Sequence, residues 1–154
     1  MKYAGEIILI LTSTATGLYF SLNIKNKMVI CRDLIKLCDT LLLDLDYKIT
    51  PAPQLLKNAL ENSCITSLGF ISENSLTKKT QVNSALSKSE NEELSNFLFL
   101  LGKTDVNSQK KLISGYKEYA KNSLEKYTQK YKKDSKIYVS FGFFFACVLS
   151  LIWS

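Results

Sequence analysis

Four aspartates fall within one short stretch, Asp33, Asp39, Asp44 and Asp46, and four cysteines are spread along the chain at Cys31, Cys38, Cys64 and Cys147. Grouped carboxylates are what metal binding or general acid–base work requires, and cysteines are what zinc or nucleophilic chemistry requires. Neither set is complete here. The chain has no histidine, and the cysteine spacings fit no zinc pattern. No second carboxylate cluster answers the first, so the aspartates read as a solvated helix face. The cysteines read as small apolar fillers in a reducing compartment. No nucleotide loop, no Ser–His–Asp set and no glycine-rich phosphate cradle occurs. A single arginine, Arg32, leaves little scope for bidentate reading of bases or phosphates. These residues point away from catalysis, and no cofactor, metal or small-molecule substrate is expected.

The elements that carry these residues are helical. Ile30, Leu34, Leu37, Leu41 and Leu45 recur at spacings of three and four and form one apolar stripe, widened by Cys38 and Leu42, on a helix from Asn26 to about Tyr47. Thr50-Pro51-Ala52-Pro53 breaks it. Thr50 is placed to cap the next helix, with Pro51 in the first helical position and Pro53 following. Leu55, Leu56, Ala59 and Leu60 give that helix its apolar face. Residues 62–75 read as a broken or short helix around Gly69. A short helix from Thr80 to Lys88 would turn Val82, Ala85 and Leu86 inward. Ser89 and Glu92 have capping-box spacing and open a helix through Leu94, Phe97, Leu98 and Leu101. The last helix of the middle carries Leu112, Tyr116, Tyr119, Leu124, Tyr127 and Tyr131 inward and most of its lysines outward. Tyrosines at that spacing are core or interface packing rather than a base-stacking platform. No strand pattern appears, so the middle is a bundle of five or six helices.

Between the last two helices lies a short polar turn. Gly102 ends one helix, and Thr104 or Asp105 caps the next. These three residues are sufficient for a structural junction. Lys103, Gln109 and Lys111 do nothing for a cap, and a basic face there would suit an acidic partner.

Both ends of the chain are apolar. Ile137–Ser154 is uncharged for 18 residues, and Lys130, Lys132, Lys133 and Lys136 stand directly before it. That just reaches the length needed to cross a bilayer core of about 30 Å. The succession Phe141, Phe143, Phe144 and Phe145 leaves no polar face, so the segment must be buried in protein or lipid. Ile7–Ile24 is also uncharged and is followed at once by Lys25, Lys27 and Arg32. A signal peptide starting at Lys2 is the competing reading. Basic residues on the inner flank of both segments predict a cytoplasmic middle with both short termini outside. The expected architecture is all-α, with residues 1–24 and 137–154 as transmembrane helices and 25–136 as a cytoplasmic helical bundle. Lys and Arg number 20 against 14 acids, so the middle could also meet acidic lipid, an acidic partner or nucleic acid. The last has least support, since no aromatic-basic RNA-binding motif is present.

The stretches LLLDLDYKITPAPQLLKNAL, NFLFLLGKTDVNSQKKLI and KIYVSFGFFFACVLSLIW resemble the stage III sporulation protein AB family. The family's Thr-Pro-x-Pro break corresponds to Thr50–Pro53. Its Leu-Gly-x-Ser-Asp-x-x-x-Gln segment corresponds to Leu101, Gly102, Thr104, Asp105 and Gln109, with Thr104 in place of the usual serine. Its basic, tyrosine-containing junction corresponds to Lys136 and Tyr138. The resemblance implies a non-catalytic membrane component of the complex that, with stage II sporulation protein Q, links the mother cell to the forespore. It implies a cytoplasmic domain similar to the platform proteins of type II secretion and type IV pilus machines. It also implies as neighbours the secretion-type ATPase stage III sporulation protein AA and the other membrane proteins of the stage III A complex. The location implied is the mother-cell membrane around the forespore. Two rival classes remain: a two-span regulatory or holin-like membrane protein, and a membrane-tethered nucleic-acid binder using the lysine face of residues 103–136.

Overall fold

The computed structural model describes the backbone of residues 2–47, 51–62, 65, 67–71, 74–77, 79 and 81–153. It describes their side chains except at 2–18, 20, 62, 74, 135, 136 and 138–153. Every regular element among these residues is an α-helix: α1 Lys2–Tyr47, α2 Ala52–Asn62, α3 Asn74–Thr77, α4 Lys88–Leu101 and α5 Val106–Trp153. The protein is all-α. The chain divides into two compact units. Unit 1 takes residues 1–26 and 126–154, and unit 2 takes residues 27–125.

In unit 2, the stripe of α1 is the centre of the core. Leu34, Leu37, Cys38 and Leu41 are almost wholly buried, and Ile30, Cys31 and Leu45 are buried with them. Burial of each leucine stabilises the fold by about 1.5–3 kcal/mol. The helix ends at Tyr47, which is 83 % exposed. Leu55, Leu56 and Ala59 of α2 are buried as their spacing predicts. The start of α2 differs by one position. Pro51 lies outside the helix, and its carbonyl accepts the first bond, from the Leu55 N–H at 3.0 Å. Pro51 is therefore the cap and Ala52 the first helical residue. Thr50 lies outside the described residues, as does Cys64.

The short helix expected from Thr80 to Lys88 does not form. Residues 81–87 run without helix, with Val82 and Leu86 buried and Ala85 exposed. Side chains take over the backbone groups. Asn91 Nδ2 donates to the Ser84 and Leu86 carbonyls at 3.4 Å, while Ser84 Oγ donates to Asn91 Oδ1 at 2.5 Å. Such local bonds offer a serine-rich stretch an alternative to helix. The capping box also moves. Ser87, not Ser89, is the N-cap of α4: Glu90 N–H donates to Ser87 Oγ, and Ser87 N–H donates to Glu90 Oε2 at 3.0 Å. Ser87 and Glu90 have the same box spacing as Ser89 and Glu92. The latter pair is exposed, whereas Glu90 is buried. Helix α4 can turn Glu90 inward because its carboxylate is satisfied by the cap.

The inner face of α5 within unit 2 is Gln109, Ile113, Tyr116 and Ala120, all buried. Leu112 and Leu124 are only half-buried, and Tyr119 reaches the surface. The buried stripe thus takes Ile113 and Ala120 in place of Leu112 and Tyr119, while Tyr116 keeps its inward place and stacks flat on Phe97 of α4 with ring centroids 4.2 Å apart and 11° between planes. In unit 1, Ile24 and Tyr127 are buried.

Among the described residues, no helix is long and apolar enough to cross a membrane. The side chains of both apolar segments fall largely outside those residues.

Candidate functional site

Among the described aspartates and cysteines, Asp33, Cys31 and Cys38 are packed into the core, and Asp39 and Asp46 are held in ion pairs. Asp33 is buried, against the solvated reading of its cluster, and accepts a hydrogen bond from Ser67 Oγ at 2.6 Å. Lys36 Nζ lies 3.5 Å from its other oxygen. Ser67 begins the turn that ends with Ile71 N–H donating to the Leu68 carbonyl, so Asp33 pins that turn to α1. Asp39 pairs with Lys117, and Asp46 pairs with Lys110 at 2.5 Å. The two aspartates and the two lysines are each two helical turns apart, and the order reverses, so α1 and α5 run antiparallel in unit 2 with their register marked by charge. Lys110 and Lys117 are thus half-buried, unlike the exposed lysines Lys111, Lys121, Lys126 and Lys130 of the same helix.

Cys31 and Cys38 are free and buried. Desolvation pushes each thiol up to about 12, with nearby carboxylates adding to it. Such thiols are poor nucleophiles and poor metal ligands. A gap of about 10 Å³ beside Cys31, Glu90 and Tyr116 is about the size of one water. A wide, open depression of about 470 Å³ over Leu42, Ser114, Lys121 and Glu125 lies on the surface. Among the described residues, no group of three or more His, Cys, Asp or Glu is placed to hold a metal.

The turn between α4 and α5 is built closely. The Leu100 carbonyl accepts from Lys103 N–H at 3.0 Å, from Thr104 N–H at 3.1 Å and from Thr104 Oγ1 at 2.7 Å. Gly102 is the C-cap of α4, and Thr104 fastens the turn that follows it. Asp105 opens α5, accepting from Ser108 N–H at 3.3 Å. Hydrogen bonds from Ser108 hold the Asp105 carboxyl below its usual range. Gly102 has a right-handed φ of −73°, so no left-handed conformation requires glycine there. Space requires it, because α3 lies against this end of α4.

The three residues assigned to a partner separate. Gln109 is buried, and its Nε2 donates to the carbonyls of Leu101 and Thr104, each at 3.0 Å. It satisfies acceptors that the end of α4 leaves over, and it does not face outward. Lys103 and Lys111 are exposed. Lys103 Nζ stands 4.1 Å from the Phe99 ring centroid, a cation over an aromatic face. The basic face of this turn is thus Lys103 and Lys111 alone.

A family model for stage III sporulation protein AB matches residues 60–153, more than half of the chain and all of α4 and α5 up to Trp153. The chain belongs to the stage III sporulation protein AB family. Its role is associated with sporulation. No curated protein and no solved structure gives a match. Both the Gly102–Lys111 turn and the Phe97–Tyr116 stack lie inside the matched span.

Proposed function

We propose that this stage III sporulation protein AB family member is a non-catalytic platform in the membrane complex between mother cell and forespore. It joins the secretion-type ATPase stage III sporulation protein AA to the other membrane components of the stage III A complex. Membership of the family carries this reading. It is supported by the use of Asp33, Asp39, Asp46, Cys31 and Cys38 in packing and register rather than in an open site. In this reading Lys103 and Lys111 meet the ATPase, with Gln109 holding the turn from within.

The two apolar segments are its membrane anchors. Each has 18 uncharged residues, and both carry their basic residues on the side of the middle domain. Residues 25–136 then lie in the mother-cell cytoplasm. A single cysteine placed at Ser87 in a cysteine-free background tests the topology. It should resist an impermeant reagent on intact cells and react once the membrane is opened; ready labelling on intact cells sinks the topology. Co-purification of the tagged full chain from sporulating cells tests the role. Recovery of the ATPase and the channel proteins supports it. A chain recovered alone, or with nucleic acid, overturns it.

A further inference from the structure

Unit 1 concentrates its charge at one level. Lys25 of α1 and Lys126, Lys130, Lys132 and Lys133 of α5 are all exposed. Lys25 Nζ stands 5.5 Å from the centroid of the Tyr131 ring. That contact sets the basic residue closing the first apolar segment beside the basic run that opens the second. Two acids stand beside these five lysines, Asp134 and Glu125, the latter directly before Lys126; the other acid of unit 1, Glu6, lies about 28 Å along α1 from Lys25 at 1.5 Å per residue. Lys126, Lys130 and Lys133 follow one another at spacings of four and three on a single helix face. Like charges so spaced repel one another, and an anionic surface relieves that repulsion.

We propose that this lysine collar binds the headgroups of anionic phospholipids, gathering them around the two apolar segments. The inference rests on the membrane reading of those segments. Several basic residues immediately beside a membrane helix attract acidic lipid through charge rather than shape. Lysines are compact point charges without the bidentate fork of arginine. The collar therefore selects net negative charge and not one particular headgroup. Duplex DNA is the weaker occupant, because the collar stands at the ends of two apolar segments, at the level where a bilayer surface would meet it.

The full chain is reconstituted into nanodiscs of phosphatidylcholine with a minor fraction of phosphatidylglycerol, and the lipids it retains are counted by native mass spectrometry. Entry into the disc reports on the membrane reading, and the lipid ratio among inserted chains reports on the collar. The retained phosphatidylglycerol-to-phosphatidylcholine ratio should exceed that of the disc by roughly fivefold, the partition that even one lysine near the surface contributes. Raised salt should lower the excess. The variant Lys25→Gln, Lys126→Gln, Lys130→Gln, Lys132→Gln, Lys133→Gln should enter discs normally and lower the ratio towards that of the disc. Arginine at the same five positions should restore the excess. An inserted chain with no excess, or a glutamine variant that keeps it, overturns the collar alone. A chain that never enters discs overturns both readings. Binding of duplex DNA to pure phosphatidylcholine discs, lost in the glutamine variant, assigns the collar to nucleic acid and overturns the proposal.

Discussion

A methyl group on Gly102 would lie 2.5 Å from the carbonyl oxygen of Leu76. Leu76 belongs to α3 and is buried, and Gly102 ends α4, so the two helices meet backbone against backbone. Gly102→Ala must push that backbone apart and should cost about 1–3 kcal/mol, the usual range for overpacking. Gly115 is the control, since a Cβ there meets nothing within 4 Å. Gly115→Ala in the interior of α5 should gain about 0.5–1 kcal/mol. Unfolding of the full chain in detergent measures both; equal effects at the two glycines would refute the close approach.

Gln109→Leu should destabilise unit 2 by about 1–3 kcal/mol, because the Leu101 carbonyl loses a buried donor. The same variant should bind the ATPase normally once folded. Weak binding by a fully folded variant would return Gln109 to the partner surface.

Lys103→Glu with Lys111→Glu should leave the melting point of unit 2 nearly unchanged, since exposed substitutions usually stay within about 0.5 kcal/mol. It should weaken ATPase association and lower spore yield. A double variant that folds, reaches the membrane and binds as wild type would make the turn purely structural.

Ser87→Ala removes the N-cap of α4 and should cost about 1 kcal/mol. Ser89→Ala, one exposed position inside the helix, should change stability by less than about 0.5 kcal/mol. A larger loss at Ser89 would move the capping box to that residue.

The buried thiols set the alkaline limit of the fold. Their native pKa is raised to about 12 from 9.0, so the folded state holds its protons while the unfolded chain releases them. Stability is then fully present below pH 9 and falls as pH rises from 9 towards 12. Tyr116, raised from 10.0 by burial, adds to the fall above pH 10. The urea midpoint of the full chain, followed from pH 8 to 11, should decline, and replacing both cysteines by alanine should flatten the first part of the decline. A midpoint independent of pH would contradict this burial.

The sequence by itself determined the helical class, the α1 stripe from Ile30 to Leu45, the break before α2 and the junction at Gly102–Asp105. Each of these is written in residues near one another along the chain: apolar periodicity, proline's restriction on its neighbour, and caps within one turn. Only the tertiary structure decided which of two overlapping boxes, Ser87–Glu90 or Ser89–Glu92, opens α4, because the choice depends on Asn91 reaching back to Ser84 and Leu86. It alone turned Gln109 inward, where the carbonyl of Leu101 awaits a donor. It alone placed Ser67 on Asp33, Lys117 on Asp39, Lys110 on Asp46 and Leu76 against Gly102. Those partners are distant along the chain and are brought together only by packing, so a periodicity read along one helix shows which face is buried and leaves open what that face meets.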